Sequence, residues 1–225
     1  NPKISGNGRF IVFESNATNL IATDTNGYQD IFVFDRLTDS IDLVSMTSTG
    51  VQGNFDSRDP DISENGQQII FSSGASNLVS SDSNGRWDVF LHNRQTGDTS
   101  LVSISSEGAQ GNNGSNLGKV SATGRFVVFE SEATNLVMDD TNICNSYDAP
   151  GECPDIFVHD METGLTERVS VASNGTEGNF GAYEPGISGD GRYVVFTSWS
   201  TTLIPDDTNN ASDIFIHDRD THETQ

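Results

Sequence analysis

The sequence contains little positive charge. Of its 225 residues, 11 are Lys or Arg and 33 are Asp or Glu, which gives a formal net charge of −22. A nucleic-acid-binding protein needs a basic surface for its phosphate contacts, so this composition argues against that function. It also disfavours binding to anionic membrane surfaces. We therefore expect neither nucleic acid nor a lipid surface as a partner.

Long apolar runs are also missing. No run approaches the roughly 18 residues that a membrane-spanning helix needs, so we expect no membrane span. The chain shows no signal peptide and starts at Asn1, which predicts a processed product or a fragment. Core-forming residues are not scarce, because Leu, Ile, Val and Phe make up 54 of the 225 residues. This share exceeds the roughly 20% below which acidic chains stay disordered, so we expect a folded core.

An internal repeat organises the whole chain. The segment Ile4–Phe13 returns with its start shifted by 58, 58 and 67 residues, as Ile62–Phe71, Val120–Phe129 and Ile187–Phe196. Each copy is followed by a second apolar segment, starting at Asp30, Asp88, Asp155 and Asp213. The first three copies also contain a third segment that ends in Val-Ser, at residues 43–45, 101–103 and 168–170. The predicted repeats span residues 4–61, 62–119, 120–186 and 187–225, and the last is incomplete.

Each repeat has the character of a β-sheet. Its apolar segments are rich in Ile, Val and Phe and are bounded by Gly, Asn, Asp and Ser. Pairs such as Asn7-Gly8 and Asn65-Gly66 predict tight hairpin turns, so each repeat is expected to supply four antiparallel strands. Because segments such as Phe10–Phe13 are apolar on both faces, both faces of each sheet should be covered. Four-stranded units stacked face to face around an axis form an all-β fold, the β-propeller.

The repeat count does not complete a ring. The sequence predicts about 3.7 blades, whereas propellers have roughly four to eight. The repeat pattern also predicts that the sequence stops after the third strand of its last blade. We therefore expect either a segment of a longer chain or a partial ring, with further blades of the same or a neighbouring chain as a partner.

The repeated motif resembles the TolB-like, or PD40, β-propeller repeat. The resemblance rests on Ile-Ser-x-[Asn/Asp]-Gly-Arg-[Phe/Tyr]-Val-Val-Phe followed by Asp-Ile-Phe-Val-x-Asp, and it covers nearly the whole chain. It implies the propeller fold. The family includes periplasmic interaction proteins, propeller domains of peptidases and many secreted proteins, so the resemblance does not select one function.

A loop of the form Asp-x-Asn, closed by a later Asp, recurs in every repeat. Carboxylate and amide oxygens at this spacing suit a hard cation with six to eight oxygen ligands, so the loops predict Ca²⁺ sites. The alternative is an Asx turn, in which these side chains bond local amides. The candidate ligands are Asp24, Asn26, Asp30, Asp82, Asn84, Asp88, Asp140, Asn142, Asp155, Asp207, Asn209 and Asp213.

Three further sets of residues merit interpretation. The histidines His92, His159 and His217 share one repeat position, too far apart across blades to bind one zinc ion, so we expect buried imidazoles with hydrogen-bond partners. Cys144 and Cys153 bracket an extra loop of the third repeat, which predicts a local disulfide and an oxidising compartment. The alternative is a reduced pair in a cytosolic protein.

The third set lies on the first strands, which line the central channel of a propeller. One repeat position carries Lys3, Asp61 and Lys119, and these are candidate channel-lining residues. They form either a charge ladder between blades or part of a ligand site.

The sequence thus favours a non-catalytic Ca²⁺-binding propeller scaffold for protein or glycan contact. Its expected location is extracellular, on the cell surface or in the periplasm. Two alternatives stay open. One is the propeller domain of a hydrolase, lyase or peptidase, and the other is a subunit of an extracellular filament or surface layer. No motif for a catalytic nucleophile is found, so we predict no catalytic residues.

Overall fold

The regular structure of this chain consists of β-strands. The computed structural model describes residues 2–146, 149–205, 207–209 and 211–225, with backbone alone in the range 143–152. None of the described residues belongs to a helix that is long and apolar enough to cross a membrane. The first sheet contains β1 (Lys3–Ile4), β2 (Phe10–Ser15), β3 (Asp30–Asp35) and β4 (Ser40–Leu43). The second contains β5 (Ser57–Ile62), β6 (Gln68–Ser73), β7 (Asp88–Asn93) and β8 (Thr99–Leu101).

The third and fourth sheets repeat this arrangement. The third contains β9 (Ser115–Val120), β10 (Phe126–Ser131), β13 (Asp155–Asp160) and β14 (Thr166–Arg168), and between β10 and β13 lies a hairpin of β11 (Ile143–Ser146) and β12 (Ala149–Glu152). The fourth contains β15 (Ala182–Ile187), β16 (Tyr193–Ser198), β17 (Asp213–Asp218) and β18 (Glu223–Thr224). In all four sheets the strands lie in chain order and pair antiparallel. The expected all-β architecture of four-stranded antiparallel blades is confirmed.

The hydrophobic core lies between neighbouring blades. Val12, Ile31 and Val33 of the first blade pack against Phe71 and Phe90 of the second, and the same arrangement joins the second blade to the third and the third to the fourth. Burial on both faces explains why the strands are apolar without alternation. The fold is therefore stabilised mainly by contacts between repeats, as in other repeat architectures.

Two details differ from the sequence-based description. The fourth sheet contains a fourth strand, the two-residue β18, where the repeat pattern predicted that the chain would stop after the third. In addition, Ile62, Val120 and Ile187 are the last residues of β5, β9 and β15, so the first strand of each sheet precedes the numbered start of its repeat. Both differences arise because these strands carry few apolar residues and give a weak pattern.

The outer face of the fourth sheet is exposed. Ile214 is 77% exposed, whereas its counterparts Ile31, Val89 and Ile156 are fully buried against the next blade. Val195 and Ile216 on the same face are also exposed. In the first three sheets the corresponding apolar face is covered by the next blade. In the fourth sheet this face is open to solvent.

Candidate functional site

The first Asp-x-Asn loop is tied to the segment that leaves its own blade. Asn26 Oδ1 accepts a hydrogen bond from the Tyr28 amide at 2.9 Å, which is the Asx turn expected as the alternative to metal ligation. The Nδ2 of Asn26 donates to the Gly53 carbonyl at 3.0 Å. Asn84 makes both corresponding bonds, to the Arg86 amide and the Gly111 carbonyl. These Asn side chains therefore hold the loop, and the two aspartates are left as its ligand candidates.

The closing aspartate of each loop is buried at the start of the third strand. Ser45 donates its hydroxyl to Asp30 Oδ1 at 2.6 Å, and Ser103 donates to Asp88 in the same way. Burial raises the pKa of Asp30, the Ser45 hydrogen bond and the nearby Asn26 side chain oppose this rise, and the charge of Asp24 adds to it. The Val-Ser segment of each of the first three repeats thus supplies one hydrogen-bond donor to the loop.

A glutamine of the outgoing segment faces both aspartates. In the second repeat, Gln110 Nε2 donates to Asp82 Oδ1 and to Asp88 Oδ2, each at 2.9 Å, while its Oε1 accepts from the Ser83 amide. Burial and, to a lesser extent, the charge of Asp82 raise the pKa of Asp88 to about 6, against the opposing hydrogen bond from Ser103. The amide of Gln110 therefore bridges two carboxylates that would otherwise repel each other.

In the first repeat the corresponding atoms are unbonded. Asp24 Oδ1, Asp30 Oδ2 and Gln52 Nε2 are buried, and none has a hydrogen-bond partner among the described residues. Asp24 is 7% exposed and Asp30 is 0% exposed. Gln52 Oε1 accepts from the Thr25 amide at 3.1 Å, which holds its amide group at the loop. Two buried carboxylates with unsatisfied oxygens are costly unless a cation compensates them.

The third loop contains a cation of its own. Arg168 Nη1 lies 3.2 Å from Asp140 Oδ1 and 3.5 Å from Asp155 Oδ2. It also pairs with Glu177, which occupies the position of Gln52 and Gln110. Asn142 Nδ2 donates to Asp155 Oδ2 at 3.1 Å. Asp140, Asp155 and Glu177 therefore face one guanidinium group, and Asn142 bonds to one of these carboxylates.

The fourth loop is more open than the other three. Asn209 Nδ2 donates to both carboxylate oxygens of Asp213, at 3.1 and 2.9 Å, and Asn209 Oδ1 accepts from the Ala211 amide. Asp213 is half-buried and Asp207 lies in the loop before it. Here too the Asn side chain forms an Asx turn.

The sequence located the acidic loops but did not identify the residues of other segments that contact them. Gln52, Gln110, Glu177 and Arg168 were not among the predicted ligands. The available signal was the Gln or Glu between two glycines in each connecting segment, at residues 50–53, 108–111 and 175–178. No three His, Cys, Asp or Glu side chains are arranged to hold a metal in the part of the chain that the structure describes, so a metal in the first loop would also need neutral oxygen ligands.

The three histidines are buried and hydrogen-bonded within their own blades. His92, His159 and His217 are buried, and the Nδ1 of each lies 2.8–2.9 Å from the Oγ1 of Thr99, Thr166 or Thr224. Each of these threonine hydroxyls donates to a backbone carbonyl, so the imidazole Nδ1 is the donor to it. Burial lowers the pKa of all three histidines. The imidazoles lie in separate blades and do not form a common site.

The cysteine pair is described only in part. Cys153 is 3% exposed, and residue 144 pairs through its backbone with Gly151 in the β11–β12 hairpin. The side chain of Cys144 lies outside the described side chains. The disulfide therefore stays a prediction.

The candidate channel residues lie together. Lys3 and Lys119 line one cavity of about 300 Å³ with Asp59, Leu117 and Glu184. Asp61 Oδ2 accepts a hydrogen bond from the Val120 amide at 2.9 Å, which joins the second blade to the third. Burial raises the pKa of Asp61, and the charges of Lys119 and Lys3 oppose the rise. The charge ladder and the ligand site therefore both stay open as interpretations of these residues.

Half-buried Glu130 predicts a pH-dependent stability near this cavity. Burial raises the pKa of Glu130 to about 7, although its Oε2 accepts a hydrogen bond from the Glu184 amide. Because the folded-state pKa exceeds the unfolded value, its stabilising contribution is complete below about pH 4.5 and is lost as the pH rises through 7. We expect Glu130→Gln to gain about 1–2 kcal/mol relative to the wild type between pH 5 and pH 8, measured by urea unfolding at both pH values.

A matched control is Glu107→Gln, which removes one exposed carboxylate. Its stability difference from the wild type should stay constant over the same pH range. A constant difference for Glu130→Gln as well would show that Glu130 is already ionised at pH 5 in the folded protein.

Stacked four-stranded antiparallel blades with acidic loops between their second and third strands define this chain as a β-propeller segment. It is similar in structure to TolB from Acinetobacter baumannii, at 16% identity and a TM-score of 0.56, with 100% of this chain and 42% of that chain covered. It is also similar to a putative TolB from Agrobacterium tumefaciens, at 14% identity and a TM-score of 0.59, with 99% and 62% covered. Oligogalacturonate lyase from Vibrio parahaemolyticus matches at 13% identity and a TM-score of 0.56, with 99% and 50% covered.

These similarities concern the fold. All three identities are below 25%, so they confirm a TolB-like propeller fold and no particular activity. The chain spans between 42% and 62% of the length of these structures. No protein-family model matches the sequence, and no curated protein matches it.

Proposed function

We propose that this chain is a non-catalytic propeller scaffold that binds Ca²⁺ in its first Asp-x-Asn loop. The observation that carries the proposal is the pair of buried, unbonded oxygens, Asp24 Oδ1 and Asp30 Oδ2. A divalent cation would compensate both carboxylates and take its remaining oxygens from loop carbonyls and water. The loop offers no imidazole or thiolate, which disfavours a transition metal.

The second loop is a weaker candidate for the same ion. Gln110 already bridges Asp82 and Asp88, so a cation must displace two hydrogen bonds to enter. We expect the first loop to bind Ca²⁺ more tightly than the second.

An exposed aromatic surface beside the first loop supports the scaffold role. The rings of Tyr28 and Phe55 lie 5.5 Å apart and are tilted by 37°, and Phe55 meets Trp87 edge-on at 6.3 Å. The Arg58 guanidinium lies 4.0 Å from the centre of the Trp87 ring. Exposed aromatic and Arg side chains are enriched at binding surfaces. We propose that this surface contacts a protein or glycan outside the cell or in the periplasm, and that the exposed face of the fourth sheet receives a further blade.

Calorimetric titration tests the metal proposal. We expect Ca²⁺ to bind the wild-type chain and to raise its unfolding free energy by about 1.4 kcal/mol at ten times the Kd, which is about 3–6 °C in Tm. Replacing Asp24→Asn and Asp30→Asn together should remove this binding, because both carboxylate charges are lost.

The matched control is Asp39→Asn with Asp98→Asn, which removes two exposed charges of the same kind. Its calcium isotherm should follow that of the wild type. An unchanged isotherm in the Asp24/Asp30 variant, or no binding to the wild type, would contradict the proposal.

A further inference from the structure

Arg168 occupies a repeat position that is leucine in the first two blades. It lies opposite Phe157 in the β13–β14 pair, while Leu43 lies opposite Phe32 and Leu101 opposite Phe90. The side chains of Arg168, Leu43 and Leu101 are all largely buried. The third blade therefore replaces a buried leucine by a buried arginine at the edge of the acidic loop.

A second replacement accompanies the first. The outgoing segment carries Gln52 and Gln110 in the first two blades and Glu177 in the third. Glu177 accepts hydrogen bonds from the amide and hydroxyl of Thr141, both at 2.9 Å, and it also pairs with Arg168. The added arginine thus comes with an added carboxylate that binds it.

The two replacements change how the aspartates are satisfied. In the third loop, Asp155 Oδ1 accepts from Ser170, and Asp155 Oδ2 accepts from Asn142 and faces Arg168. Both oxygens of Glu177 also have donors. In the first loop, Asp24 Oδ1 and Asp30 Oδ2 have none among the described residues.

We propose that Arg168 is a built-in cation that takes the place of a divalent ion in the third loop. The aspartates of this loop are therefore compensated without metal, and Ca²⁺ binds only loops whose corresponding position is leucine. The guanidinium lies within 3.2–3.5 Å of two carboxylates that a calcium ion would have to bind at about 2.3–2.6 Å, so both cannot occupy the loop. The inference rests on the proposed function for the first loop and identifies the residue that decides which copies bind metal.

Exchanging arginine and leucine at this repeat position tests whether it decides which loops bind Ca²⁺. In Arg168→Leu the third loop keeps three carboxylates and loses its cation, so calorimetry should find one more bound Ca²⁺ than in the wild type. Adding Asp155→Asn to this variant should remove the extra ion, whereas Asp155→Asn alone should leave wild-type binding unchanged. We also expect Arg168→Leu to melt below the wild type in chelator and to recover in Ca²⁺.

The reverse exchange gives an independent measurement if Arg168→Leu does not fold. Leu43→Arg should place a guanidinium at the first loop and weaken its Ca²⁺ binding at least tenfold. Leu43→Met, which adds no charge, is the matched control and should bind Ca²⁺ as the wild type does.

The outcomes separate this inference from the proposed function. Loss of a bound ion in Asp155→Asn alone, no added ion in folded Arg168→Leu, or unchanged binding in Leu43→Arg would overturn the inference and leave the first-loop site standing. An ion bound by Arg168→Leu but none by the wild type would support the inference and refute the proposed first-loop site.

Discussion

Phe129→Ala is expected to lower the unfolding free energy by about 3–5 kcal/mol, the cost of removing a large buried aromatic side chain. Phe129 is fully buried, and its ring stacks on Phe157 at 5.8 Å within the layer between the second and third blades. The loss is large because the cavity opens where two repeats meet. Denaturant unfolding followed by tryptophan fluorescence gives the free energy.

The repeat supplies a matched control in Phe13→Ala. Phe13 occupies the same position in the first blade and makes the same stack, with Phe32 at 5.9 Å, but it is only half-buried. We expect a loss of about 1–2 kcal/mol, because less apolar surface is exposed to water on unfolding. Equal losses at the two sites would show that another surface covers Phe13 in solution.

Gly66→Ala is the second large prediction, at about 2–5 kcal/mol. Gly66 has a φ of +74°, which costs a residue with a Cβ about 1–2 kcal/mol. The added Cβ would lie 2.1 Å from Cδ2 of Phe10, whose ring is held between the guanidinium groups of Arg9 and Arg94. Displacing this confined ring adds an overpacking cost of about 1–3 kcal/mol.

Gly97→Ala separates the two contributions. Gly97 has a φ of +79°, and no described atom lies within 4 Å of the Cβ position. We expect only the backbone cost, about 1–2 kcal/mol, in the same unfolding assay. If both variants lose the same free energy, the Phe10 ring moves aside without cost and the blade interface is looser than its geometry indicates.

Local patterns made most of the fold predictable. The apolar segments at Phe10 and Asp30 and their copies predicted the second and third strands of every blade, because burial on both faces leaves continuous apolar runs. The weaker first and last strands, such as the two-residue β18, were harder to place since they carry few apolar residues.

The positions of the candidate loops were predictable from the sequence, but the side-chain contacts within them were only partly predictable. Asp24 and Asp30 were identified from their spacing, and the spacing also offered the Asx turn that Asn26 makes. It gave no indication that Gln52 faces these aspartates, since that residue is 28 positions from Asp24 and reaches the loop through the outgoing segment. Contacts of this kind depend on how strands are registered in three dimensions.

The sequence by itself determined the number of repeats, the strand-and-turn order and the acidic loop in each copy, because these follow from local residue patterns that recur every 58–67 residues. Only the tertiary structure decided which group faces the first three acidic loops: a Gln52 amide whose Nε2 has no partner among the described residues, a bridging amide at Gln110 and the guanidinium of Arg168. Four loops of similar sequence therefore differ in their electrostatics, since the compensating group comes from a distant strand or connecting segment.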